Sequence, residues 1–429
     1  MEVGTAMGFA MASLSESCTH CVNASSCGII RDGSIIAKSS PFNSLTAEER
    51  ERLGIAVADE EDHEADQQSN PQQVLVPSDD AWLPSLNQSH PYGDMLNIPR
   101  VPTAPDMTKP IQVFVLLGQS NMLGYGRIRG KDKDGTLEHA IYVKKRFPYL
   151  VHKNGTWATH PSVRTVVVTD SNIVKKDWLA VPHHSGDRYI GPEVAMGWIL
   201  GHALDGQPVL LLKSCGSNRA LGWDLLPPES PAYEYEGWVH PGYNHTMPDE
   251  PDSEWYAGKQ YDIDVANVKR VLANLNEYYP GATTNNYEIA GFAWWQGEKD
   301  SLYQAFTAKY EENLVRLIRS LRKNFNAPHA KFVIATVGFD GVNMKGNMRR
   351  IWLAQKNVSG DSGIYPEFTE NVQTVDIRPL WRSTMKRGRN HYGKHAEVFM
   401  EVGTALGLGM ATLIQGNLQI VKSLLSSRT

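Results

Sequence analysis

Cysteine is scarce. The chain has four in 429 residues, with Cys18, Cys21 and Cys27 crowded into one polar stretch and Cys215 alone in an apolar run. So few thiols exclude a disulfide-stapled scaffold and leave the redox compartment open. An excess of one charge is also missing. Lys plus Arg number 42 against 47 Asp plus Glu, a formal net charge of −5 that offers no footprint for a nucleic-acid backbone or an anionic membrane. No apolar run approaches the roughly 20 residues that a bilayer crossing needs, so no transmembrane segment is expected. The opening MEVGTAMGFAMASLSES carries an acidic residue where a secretory leader carries positive charge, so no leader is expected there. Five N-x-[ST] sequons, at Asn23, Asn87, Asn154, Asn244 and Asn357, keep secretion open. Compartment and oligomeric state are left unassigned.

What is present is globular in character. Hydrophobic residues make up 41% and charged residues 21%, and the length allows one large core within two to three domains of ordinary size. Residues 13 to 108 are rich in Ser, Asn, Asp, Glu and Pro, with an acidic run from Asp59 to Asp66, and read as a largely irregular linker. Within it, Ser44 to Gly54 has the capping pattern of one short helix. Cys18, His20, Cys21 and Cys27 lack the paired spacing of zinc sites, so no metal is expected. Met1 to Ala6 reappears verbatim as Met400 to Ala405, and Gly8, Met11 and Ala12 match Gly407, Met410 and Ala411. This reads as the remnant of an upstream tandem copy at 1–12. The expected organisation is an N-terminal extension over 1–108, a single catalytic-sized domain over 109–415 and a tail over 416–429.

From Lys109 onward, short apolar runs alternate with amphipathic segments. Strands are expected at Ile111 to Leu117, Val209 to Lys213, Glu288 to Trp295, Lys331 to Val337 and Asn371 to Ile377. Helices are expected at Gly191 to Leu204, Asp262 to Tyr279, Ala305 to Phe325, Lys345 to Asn357 and Ala396 to Ile414, where Gly and Ala positions permit close approach to a sheet. The fold class is α/β: a three-layer α/β/α sandwich with a mostly parallel five-stranded sheet, flavodoxin-like in outline.

In such a sheet, function gathers beyond the carboxyl ends of the strands. The first strand runs into Gly118-Gln119-Ser120-Asn121-Met122, a sharp turn that presents Ser120 where a nucleophile belongs; the bland use of such a serine is a helix cap. The second runs into Ser214-Cys215-Gly216-Ser217-Asn218, where Gly216 lets a backbone N–H approach a substrate oxygen. The third runs into Gln296-Gly297-Glu298-Lys299-Asp300, with a side-chain amide at the same edge. Past the last strand, Asn390-His391-Tyr392 places an imidazole that can take the proton of Ser120.

These marks together resemble the SGNH hydrolases, in particular the sialate O-acetylesterase and acetylxylan esterase-like branch, carbohydrate esterase family six. The resemblance spans about Lys109 to Ile414 and rests on GQSNM at 118–122, IGPE at 190–193, KSCGSN leading into LGWDLLPP, AWWQGEKD at 293–300 and HYGKHAEVFMEVG at 391–403. It implies a serine esterase that removes O-acetyl or other small acyl groups from carbohydrates through an acyl-enzyme, with no cofactor. Ser120 is then the nucleophile and His391 the base. The N–H groups of Ser120 and Gly216 with the Gln296 side chain form the oxyanion hole, and Gln119, Asn121 and Glu298 contact the substrate. The family's usual Asp shortly before the His is replaced here by Gly388 and Arg389. Asp376 is one candidate for the triad acid and Glu397 a weaker one; a Ser-His dyad oriented by a backbone carbonyl is the other reading. Lys299 stands where many relatives carry Asn.

Several further residues suggest a sugar partner. Trp223, Trp238, Trp255, Trp294, Trp295 and Trp381 supply stacking faces, and Arg127, Asp224 and Arg378 supply hydrogen-bonding groups, although packing explains most of them. The Pro-, Trp- and Tyr-rich segment from Gly222 to Gln260 is expected to be a lid or substrate wall. The rival readings are a catalytically silent carbohydrate-binding protein and a general carboxylester or lipid hydrolase of the same fold.

Overall fold

The β-branched and aliphatic runs beyond Lys109 form a seven-stranded sheet in the computed structural model, which describes residues 29–31, 34–36, 103–182, 188–283, 286–382, 385 and 391–416. The repeat at 1–12, the helix expected at 44–54 and the Cys18–Cys27 cluster lie outside these residues. The chain divides into two units, Met1–Glu49 and Arg50–Thr429. In the first, Ile29–Arg31 pairs antiparallel with Ser34–Ile36.

The second unit holds the sheet. Its strands are β1 (Ile111–Gly118), β2 (Thr159–Thr169), β3 (Asn172–Ala180), β4 (Val209–Ser214), β5 (Tyr287–Trp295), β6 (Lys331–Ala335) and β7 (Val372–Val375), in the spatial order β7-β6-β5-β1-β4-β2-β3. All neighbours are parallel except β2 and β3. The five expected strands are all present, and the expected count of five is corrected to seven. The two additional strands form a hairpin whose turn residues, Asp170 and Ser171, both have positive φ, 47° and 68°. That is the twist-matched two-residue turn, built here without the glycine that usually announces it.

Helices cover both faces. On β1, Phe114 and Leu116 point to one core, shared with α1 (Glu193–Ala203) and α5 (Ala396–Gln415). Val113, Val115 and Leu117 point to the other, shared with α2 (Lys259–Ala273), α3 (Gln304–Asn324) and α4 (Gly346–Asn357). Helix α3 shows why the chain folds this way: Tyr310, Leu314, Leu317, Ile318 and Leu321 recur at helical spacing and are all buried. Trp294 and Trp295, adjacent on β5, fall on opposite faces and are both fully buried. Helix α5 is long and apolar enough to cross a membrane by length and composition, contrary to the expectation from apolar runs, but 78% of its apolar window is buried inside the protein. Its small residues face α1 as well as the sheet, Gly407 lying on Ile199 and Gly409 on Val333 and Val375.

The amino end of α5 is held by a buried ionic network. Glu397 accepts from Arg146 at 3.1 Å, Lys144 at 2.9 Å and Arg382 at 3.0 Å, while Glu401 pairs with Arg146 at 2.9 Å and Arg382 at 2.8 Å. Burial alone would raise the Glu397 pKa, but Arg382, Lys144 and Arg146 hold it below its ordinary value. Removing one cation leaves carboxylates buried without their partner, a loss typically larger than the pair's own net worth. Arg146→Met is therefore expected to destabilise the fold by about 3 kcal/mol, read as a lowered midpoint in urea unfolding at unchanged slope.

Candidate active site

Strand order reverses at β1. Its neighbours β4 and β5 lead away to opposite sides, so their following loops diverge and open a crevice at the carboxyl end of β1. The chain there turns directly into a four-residue helix, Ser120–Leu123. Gln119 and Asn121 are buried, while Ser120 between them is partly exposed. Both amides are tied to one group: Gln119 Nε2 donates to Glu298 Oε2 and Asn121 Nδ2 to Glu298 Oε1, each at 2.8 Å. Burial pushes the Glu298 carboxyl up, and its own backbone N–H, the two amides and Tyr392 act against that shift. The three residues expected to contact substrate are thus locked to one another across the loops that follow β1 and β5. They fix the frame of the serine.

His391 begins a tight turn in which His391, Tyr392, Gly393 and Lys394 all have positive φ, 59°, 51°, 63° and 61°. Three of the four are not glycine, a costly backbone that surrounding packing must hold. Tyr392 is the anchor. It is fully buried, with its ring 5.5 Å from Trp295, 4.8 Å from Phe339 and 6.0 Å from Trp381. The His391 imidazole stacks on Tyr125 at 3.9 Å and 17°, and Tyr125 lies five residues after Ser120. Burial, reinforced by the Lys394 charge, lowers the imidazole pKa to about 4. The ring is neutral at pH 7.

Asp376, one candidate for the triad acid, is held by its neighbour in sequence. Both oxygens of Asp376 face Arg378, which donates from Nε at 3.1 and 3.0 Å, from Nη2 at 2.7 Å and from its backbone N–H at 3.0 Å. Trp352 Nε1 donates to the same carboxylate at 3.3 Å. The Arg378 guanidinium in turn lies 3.6 Å from the Trp352 ring centroid. Glu397 is consumed by its cations. Both carboxylates named from the sequence are thus paired with cations.

Gln296, expected at the oxyanion hole, is hydrogen-bonded within the protein. Its amide donates to the Arg219 carbonyl at 2.8 Å and to Asp300 Oδ2, and its oxygen accepts from Tyr310 at 3.1 Å. Both amide hydrogens are spent inside the protein, so this arrangement leaves none for an oxyanion. Gly216 lies buried between Gln260 and Arg219 at the end of β4. Asp224 accepts from Ala220 N–H at 2.8 Å and Trp255 Nε1 at 3.1 Å, so it also serves its own loop. Arg127 lies partly exposed on a short strand that pairs with Tyr189–Ile190. Trp223, Trp294 and Trp295 are packing residues, whereas Trp238 is 45% exposed.

Sequence reasoning missed Tyr125, Tyr392 and Asp300. Asp300 accepts from the backbone N–H groups of Leu221 at 2.9 Å and Gly222 at 2.7 Å, with burial raising its pKa to about 7. It pins the start of the 222–260 segment, and Asp262 pins the end through Tyr243 at 2.6 Å and Tyr256 at 2.8 Å. The segment is fixed at both ends. Tyrosines flanking the motif serine and histidine were the available signal.

A doubly wound sheet, with a partly exposed serine just past its central strand and the His391 imidazole stacked on Tyr125, defines the fold class: a three-layer α/β sandwich with a crevice at the end of β1. Comparison of the sequence with known families adds a partial match. Residues 253–404 match the family model described as SASA, carbohydrate esterase, sialic acid-specific acetylesterase. The match covers about a third of the chain. Among curated proteins, none matches this chain. Among solved structures, a protein from Arabidopsis thaliana is similar at 18% identity and TM-score 0.43, over 71% of this chain and 98% of that one. A carbohydrate acetylesterase from Xanthomonas citri is similar at 13% identity and TM-score 0.43, over 71% of this chain and 57% of that one. NanS is similar at 16% identity and TM-score 0.35, over 65% and 81%.

Because Asp376 serves Arg378, Asp376→Asn is expected to lower kcat by less than about 10-fold, against the roughly 10⁴-fold cost of losing a true triad acid. Steady-state kinetics on a chromogenic acetate ester decides this. Glu298→Gln sets an NH₂ against one of two donating amides and should cost about 1–3 kcal/mol in thermal or urea unfolding.

Proposed function

We propose that the chain is a serine esterase that removes acetyl groups from carbohydrate hydroxyls through a Ser-His dyad. The observation that carries this reading is the presentation of Ser120: a partly exposed hydroxyl between two buried residues that one carboxylate locks in place. Ser120 Oγ attacks the acetyl carbonyl and gives its proton to His391. The backbone N–H groups of Ser120 and Gly216 are the donors for the developing oxyanion, each such donor being worth roughly 3 to 4 kcal/mol. Collapse of the tetrahedral intermediate breaks the ester bond, and His391 returns the proton to the departing sugar oxygen. Water, deprotonated by the same imidazole, then releases acetate from Ser120.

A base must be unprotonated to act. Lowering the His391 pKa to about 4 keeps it competent on the acid side of the usual histidine range, at the cost of basicity. The profile of kcat/KM is expected to stay level from about pH 5 to pH 8 and to fall below that, with its acid limb near 4 and not near the ordinary 6.5. The direct assay is acetate release from acetylated xylan, acetylated sialic acid and a chromogenic acetate ester. Ser120→Ala and His391→Ala should each lose about 10³-fold or more in kcat. Turnover untouched by Ser120→Ala overturns the mechanism, and no acetate release from any substrate favours the silent sugar-binding reading.

A further inference from the structure

Two of the sequence marks, the IGPE turn and the lysine that opens KSCGSN, have no place in the chemistry so far, and neither does Gly124, which ends the serine turn. They meet at one spot. Lys213, on β4, is 1% exposed, and its ammonium donates to three acceptors: the carbonyls of Met122 at 3.1 Å and Leu123 at 2.7 Å, and Glu193 Oε2 at 2.7 Å. The first two belong to the last residues of the Ser120–Leu123 helix, carbonyls that a helix this short leaves without an internal partner. Glu193, also buried, opens α1 and accepts from the Gly191 N–H at 3.4 Å. Gly191 in turn lies against Gly124, which has φ +103°, so closely that a Cβ on Gly124 would stand 2.2 Å from the Gly191 Cα. The backbones of the two turns touch.

We propose that the Lys213–Glu193 pair is a positioning device for the nucleophile. The ammonium fixes the far end of the serine helix by its carbonyls, Glu193 neutralises that charge and ties it to α1, and the Gly124–Gly191 contact sets the depth at which the helix sits. The site described above anchors the same helix from the other side, where Glu298 holds Gln119 and Asn121. Ser120 therefore stands between two buried clamps, one on its flanking side chains and one on its trailing carbonyls. A hydroxyl that must meet a carbonyl carbon at about 3 Å tolerates little drift, and a misplacement of about 1 Å can cost about 100-fold. Neither Lys213 nor Glu193 touches substrate in this account. It rests on Ser120 being the nucleophile.

The test compares a charge-free double variant, Lys213→Met with Glu193→Met, and the milder Glu193→Gln, which keeps an acceptor oxygen for the ammonium. Each is measured for thermal unfolding, for kcat and KM on a chromogenic acetate ester, and for the rate of Ser120 labelling by a fluorophosphonate. The double variant is expected to lose about 10- to 100-fold in kcat with KM within about 2-fold, and labelling should slow in parallel. Glu193→Gln should lose about 3-fold or more in kcat in the same pattern, and it carries the test if the double variant does not fold. A folded variant with wild-type kcat, or with a loss confined to KM, overturns the proposal. Ser120→Ala run alongside separates the two failures: if it abolishes turnover while the pair variants keep theirs, only the positioning role falls.

Discussion

A carboxylate taken out of water must be met on both oxygens, and Glu298 is met by the amides on either side of Ser120. This one group joins the loop that follows β5 to the turn that follows β1, across the centre of the sheet. The depth of Ser120, the burial of its neighbours and the seat of Tyr392 all follow from that join. Strand order supplies the crevice, but the carboxylate determines what stands at its floor. A neutral residue of similar size would fill the space and leave two buried amides without acceptors.

The imidazole is treated differently. Among the described residues, no carboxylate raises the His391 pKa; burial and the nearby Lys394 ammonium both lower it. Where a triad acid would stabilise the imidazolium, this arrangement orients the neutral ring by stacking it on Tyr125 and by locking its backbone turn through Tyr392. A triad delivers orientation and charge stabilisation through a single aspartate; the contacts around this ring and its turn are aromatic.

Much of this was legible before any coordinates. The five parallel strands of the core, and the helices between them, announced themselves because aliphatic runs ended in Gly-bearing turns and because α3 keeps strict helical spacing. The β2–β3 hairpin did not, since its turn is Asp170-Ser171 and charged residues, Lys175, Lys176 and Asp177, interrupt the apolar pattern of its outer strand. The partner of Asp376 was hidden for a different reason. Nearness along the chain to His391 says nothing of Arg378, which folds back over the carboxylate two residues later and takes both oxygens. Gln296 was placed at the correct edge, but its partners Asp300, Tyr310 and the Arg219 carbonyl come from three other segments, and such convergence is invisible in one dimension.

The outermost strand has a consequence beyond the site. A sheet that ends in a free row of backbone donors and acceptors is a template on which another molecule of the same protein can polymerise. Here the terminal strand β3 carries Lys175, Lys176 and Asp177 in succession, with Lys176 held by Glu277 at 3.1 Å. Any second chain that tried to add itself along that border would have to strip water from these ions, so the hairpin that enlarges the sheet also guards against its growth into a filament.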